Sequence, residues 1–174
     1  MSDGEPPRYA PSRAFPPYAF LPGRDPHPTG DPRGHSFGAE RPLPPHLPPE
    51  RWREDEEYLH GIDLYNHGYL WEAHEAWEGR WHQARGDALH ADFLQGLIQC
   101  AAASLKLRLE QRRGLERLAE MGTARLERVA RAAGPRYMGL DVPAFVDAFR
   151  TFASTATSAD QRPLLRLTSA TFES

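Results

Sequence analysis

The stretch Gly61–Gln83 reads GIDLYNHGYLWEAHEAWEGRWHQ, and its two halves decide the fold. Apolar residues recur at helical spacing on either side of Gly68, a glycine suited to ending one helix before the next. The first half belongs to a helix over residues 50–67 with Trp52, Leu59, Ile62 and Tyr65 or Leu64 inward; the second to a helix over 69–84. Gly61-Ile62-Asp63-Leu64, then Gly68, then Ala73-x3-Trp77 match the small and large packing positions of a tetratricopeptide-type hairpin. A small residue lets the two helices approach, and the aromatic fills the space beside it.

Working outward, Gly86 breaks the chain and Asp87 caps a third helix over 88–111. A fourth, over 113–133, carries Leu115, Leu118, Leu126 and Val129 on one face and ends at Gly134-Pro135. Asp141 before Val142-Pro143 starts a fifth that buries Val142, Phe145, Phe149 and Phe152. A solenoid needs at least three repeats, so the expectation is an all-α compact bundle of about five helices containing one tetratricopeptide-like hairpin.

Before residue 50 the composition changes. Fourteen of the 17 prolines lie there, and proline fixes φ and lacks an amide donor. Residues 1–49 are therefore expected as an extended arm. Phe15, Tyr18, Phe20 and Leu21 predict that part of it packs on the helical domain, residues 50–157. Residues 158–174 are expected as a C-terminal tail.

The chain has 174 residues, 21 lysine plus arginine and 24 acidic residues, and a formal charge of −3. That balance argues against nucleic acid as a partner. The longest apolar stretch, around 97–105, is interrupted by Gln99 and Ser104 and falls short of the ~20 residues of a membrane span. The N-terminus shows no basic segment followed by an apolar one, and the single cysteine, Cys100, excludes an internal disulfide; a cytoplasmic setting is the expectation.

The chemistry concentrates on the second helix. At ~100° per residue with His74 at zero, Glu78 falls near ~40°, Trp81 near ~340°, Leu70 near ~320° and Trp77 near ~300°. His74 and Glu78 thus share the helix's apolar face, whereas Glu75 falls near ~100°. A half-buried carboxylate needs a partner or a metal. Two readings follow: a structural His74–Glu78 pair at i,i+4 spacing, or donors to a metal or small ligand. HEAWE is not the metalloprotease motif, because Glu78 stands where that motif has its second histidine. Two donors need completing, and the candidates are His82, two turns on, and His27 and His35 in the arm.

On the third helix Gln95, Gln99 and Lys106 form one narrow polar stripe with Asp92. It either faces solvent or brings Gln95 and Gln99 to His74 and Glu78, with Gly96 allowing close approach. Trp81, Gln95 and Gln99 are the ligand-binding candidates. No nucleophile triad, phosphate-binding glycine loop, nucleotide or flavin signature is present.

Taken together, Leu64-Tyr65-Asn66-x-Gly68, Glu72-Ala73-His74-Glu75, His74-x3-Glu78-x2-Trp81 and Phe93-Leu94-Gln95-Gly96-Leu97-Ile98-Gln99 resemble the bacterial and archaeal family called domain of unknown function 309, over roughly residues 50–115. The resemblance implies a helical fold and a motif suggested to bind metal, with no established activity. It maps that suggestion onto His74 and Glu78, with Trp81 as the third motif position. The expected function is a His/Glu polar site for a divalent metal or small ligand, whether or not it catalyses. The alternative is a non-catalytic interaction module holding a partner peptide in the hairpin groove; self-association through Trp52, Trp71, Trp77 and Trp81 is a third.

Overall fold

The computed structural model describes residues 4–168. Five α-helices follow one another: α1 Glu56–Asn66, α2 Leu70–Gln83, α3 Ala88–Arg108, α4 Arg112–Ala133 and α5 Val142–Thr155. Each packs chiefly on its neighbour in sequence, so α3 lies between α2 and α4. Among the described residues the fold is all-α apart from two-residue strands, β1 Arg136–Tyr137 and β2 Leu140–Asp141, paired antiparallel. Among the described residues no helix is long and apolar enough to cross a membrane.

The hairpin forms around Gly61 and Trp77. A Cβ on Gly61 would lie 2.1 Å from Trp77 Nε1, so only glycine lets the indole cross α1 there. The ring is fully buried, and its Nε1 donates to the Tyr58 carbonyl at 3.2 Å. Tyr58, Tyr65, Phe93 and Phe149 complete the large members of the core. A second close crossing joins α3 to α4, where a Cβ on Gly122 would meet the Gly96 carbonyl at 2.9 Å.

The first expected helix divides. Asp55 leaves helical geometry (φ −84°, ψ 85°) and its carboxylate caps α1 by accepting from Tyr58 N. Residues Pro49–Glu54 form a separate 3-10 segment before it. The same buried carboxylate accepts from Arg80 Nε at 2.8 Å, tying the start of α1 to the end of α2. Asp87 and Asp141 cap α3 and α5 as their sequence positions predict. Between α4 and α5, Met138 and Gly139 both take positive φ, which closes the tight β1–β2 turn.

Residues on both sides of the bundle are tied to α1. Asp63, fully buried, accepts from Arg8 Nε and from the amides of Tyr9 and Ala10 at 2.7–3.1 Å. Asn66 exchanges two 2.8 Å hydrogen bonds with the backbone of Leu165. Leu167 forms a bridge to Leu140. Of the expected C-terminal tail, residues 169–174 lie outside the described residues.

Candidate metal centre

On α2 the helical repeat places His74 and Glu78 one turn apart, as their spacing predicts, but on a partly exposed face and not on the buried one the helical wheel gives them. The 3.7 Å from His74 Nδ1 to Glu78 Oε2 is too long for a hydrogen bond. Glu75 comes closer, its Oε1 3.3 Å from the same nitrogen. One ligand atom from each of His74, Glu75 and Glu78 lies within 4.8 Å of the other two, a grouping of three potential metal donors. The Glu75 carboxylate is the member the helical wheel excludes. Its long side chain curls back toward His74, and the signal in the sequence is a carboxylate adjacent to the histidine.

The side chains of His74, Glu75 and Glu78 are 31%, 47% and 40% exposed, so the cluster faces solvent. Nδ1 of His74 is nonetheless screened from water and has no hydrogen-bond partner among the described residues. The site is therefore not the sealed pair of a purely structural reading: it holds an unpartnered nitrogen and two partly exposed carboxylates.

The other candidates fall in different places. His82 Nε2 lies 3.9 Å from Glu78 Oε1, on the outer edge of the cluster and half exposed. Trp81 is half-buried beside it, with the His82 ring at 4.8 Å and the Arg85 guanidinium 4.9 Å over the indole. Neither arm histidine joins the cluster. His27 packs its ring against Phe20 and Trp71, and its Nδ1 accepts from Gly30 N at 3.0 Å. His35 has both nitrogens engaged, Nδ1 with Ser36 Oγ at 2.7 Å and Nε2 with Glu72 Oε2 at 2.8 Å. Glu72 also accepts from Phe20 N and is nearly fully buried.

The polar stripe of α3 turns to α4 at Gln99, whose Oε1 accepts from Arg125 Nε at 3.2 Å, while Arg125 Nη1 reaches Asp92 at 2.8 Å. The close approach at Gly96 is made to Gly122 and Leu126 of α4. Gln95 is half-buried on α3. Trp77 lies in the core and Trp71 under the arm, so the four tryptophans do not form one surface. Cys100 is buried, and burial holds its thiol far above the ordinary range, which leaves it an unreactive core group.

No curated protein and no solved structure matches the chain. Residues 58–118 match the family model described as Domain of unknown function (DUF309), a span that runs from α1 through the His74 cluster into α4. Over those residues the chain is similar to the DUF309 family.

Proposed function

We propose that the domain binds a divalent transition-metal ion on α2 through His74, Glu75 and Glu78, leaving coordination positions open toward solvent for a small ligand. The observation that carries this reading is the unpartnered His74 Nδ1 between two carboxylates. A polar nitrogen withdrawn from water without a hydrogen bond is unfavourable, and an ion gives it a partner. The two carboxylates make the cluster attractive to a dication. One nitrogen and two oxygen donors suit zinc, iron, manganese or nickel. Three protein donors with an open side is the pattern of sites that admit a further ligand rather than of closed structural sites. When bound, such an ion acts as a Lewis acid toward an oxygen ligand. The chain's own contribution is to hold the donors on one rigid helix, with Trp81 beside them as an apolar flank.

The alternative, a partner peptide in the hairpin groove, meets a surface already in use. The arm lies across α1 and α2 at Asp63, Glu72 and Gly79, where Leu43 packs on the glycine.

Calorimetric titration of metal-stripped protein tests the proposal. Wild type is expected to take up zinc, manganese or nickel with micromolar affinity, and His74→Ala, Glu75→Gln and Glu78→Gln each to weaken it about tenfold or more. Absence of uptake by wild type, or equal binding by all three variants, overturns it.

A further inference from the structure

A second polar site lies at the α1–α2 turn, on residues the metal reading does not use. A cleft of about 370 Å³ opens where four parts of the chain meet. Leu21 and Arg24 come from the arm, His67, Gly68 and Tyr69 from the turn, Arg108 from the end of α3, and Asp160 from the segment after α5. Arg108 Nη1 donates to the Gly68 carbonyl at 2.6 Å, but its Nη2 stands 3.8 Å from Asp160, beyond hydrogen-bond range.

Arg162, buried behind the turn, places its donors on the carbonyls of Tyr65, Asn66 and Ala159. It lies 3.8 Å from the same Asp160 oxygen. Two guanidinium groups thus share one loosely held carboxylate that is 85% exposed. Burial first, and then the charge of Arg162, holds Arg108 below its ordinary value; Arg24, which lines the same cleft, adds to that effect, while Asp160 and Glu72 oppose it. Asp25 occupies Nε and Nη2 of Arg24, leaving Nη1 without a hydrogen bond among the described residues.

Two further features point the same way. The 14-residue α2 starts at this cleft, and its N-cap, Tyr69, offers no side chain to the helix amides. Glu72, in the first turn, spends its carboxylate on Phe20 N and His35. His67, 10% exposed, lines the cleft and has an Nε2 without a hydrogen-bond partner among the described residues.

We propose that this cleft binds a small anion carrying a phosphate group, with Arg108 and Arg24 as its cationic walls. Guanidinium groups present paired planar donors that match phosphate oxygens, and an uncapped helix N-terminus adds a favourable dipole. The volume exceeds that of a bare phosphate and leaves room for a small organic part against Leu21 and Tyr69. Asp160 is the internal competitor, displaced as the anion enters. A carboxylate ligand shares this oxyanion chemistry, so the test includes one.

The test is titration of the full chain with inorganic phosphate and with acetate at matched ionic strength, followed by calorimetry and thermal unfolding. Wild type is expected to bind phosphate in the millimolar range or tighter and to unfold at a higher temperature in its presence, with acetate about fivefold weaker or more. Arg108→Gln and Arg24→Gln are each expected to weaken phosphate about tenfold, and Asp160→Asn to tighten it two- to threefold or so. Arg108 also supports the turn through Gly68; if its variant does not fold, the two surface variants decide. No phosphate binding, acetate binding as strongly as phosphate, or wild-type affinity in both Arg24→Gln and Asp160→Asn overturns the proposal.

Discussion

Nε2 of His35 stands 2.8 Å from Oε2 of Glu72 across 37 residues of chain, and both side chains are almost fully withdrawn from solvent. The contact turns the aromatic part of the arm into a packed layer. Phe20 N shares the same carboxylate, and Tyr18 Oη accepts from His35 N at 3.0 Å. A buried carboxylate held by an imidazole and an amide becomes unfavourable when one partner is removed.

His35→Ala is therefore expected to destabilise the protein by roughly 1–3 kcal/mol and to speed amide exchange over residues 15–37. Chemical denaturation and hydrogen exchange check this. Unchanged exchange in the arm would show that the Asp63 contacts alone hold it.

The crossing at Gly61 and Trp77 gives a second expectation. Gly61→Ala forces a methyl into the indole and is expected to cost about 1–3 kcal/mol. Trp77→Ala empties the centre of the core and is expected to cost roughly 3–5 kcal/mol, more than His74→Ala at the partly exposed cluster. In the double variant the two losses should not add, because removing the indole makes room for the methyl. Urea denaturation of the four variants reads all of this; strict additivity, or a larger loss from His74→Ala, contradicts it.

Acid sensitivity follows from His60. Burial, with smaller help from the Arg13 charge, pushes its imidazole down to about 4. Its Nδ1 has no hydrogen-bond partner among the described residues. The folded protein keeps this ring neutral down to that pH, whereas an unfolded chain takes up the proton near ~6.5. Between those values the unfolded state binds more protons, so stability falls as the pH is lowered from ~6.5 toward 4 and is fully present above ~6.5. His90, lowered chiefly by burial as well, acts in the same direction. Unfolding free energies measured across this range should decline with acid, and His60→Gln should flatten the curve. A profile no flatter in the variant would remove His60 as a cause.

Much of the bundle is legible without coordinates because its rules are local. Asp87 and Asp141 cap their helices through amides three residues on, and Gly61 and Trp77 belong to two helices joined by a short turn. The α1–α2 pairing follows from spacing and size alone. His74 and Glu78 are adjacent for the same reason, since a helix brings i and i+4 together.

What spacing does not reach is anything set by side-chain reach or by contacts between distant segments. Glu75 lies off the helical face of His74 yet approaches it more closely than Glu78, because a long side chain can fold back along the helix. Gln99 faces α4, where the Gly96–Gly122 crossing brings Arg125 within reach of it. Asp55 looks like one more acid in a helical run, and its burial at the break before α1 goes with the Arg80 guanidinium, 25 residues on, which meets the carboxylate that also caps Tyr58 N.

The sequence by itself determined the number of α-helices, the hairpin and the one-turn spacing of His74 and Glu78, because backbone periodicity and capping act within a few residues. Tertiary structure decided which carboxylate His35 meets, which helix the glutamine stripe faces, and that Arg24, Arg108 and Asp160 line one cleft. Those depend on long-range packing, where each buried polar group takes the partner that the folded chain brings within reach.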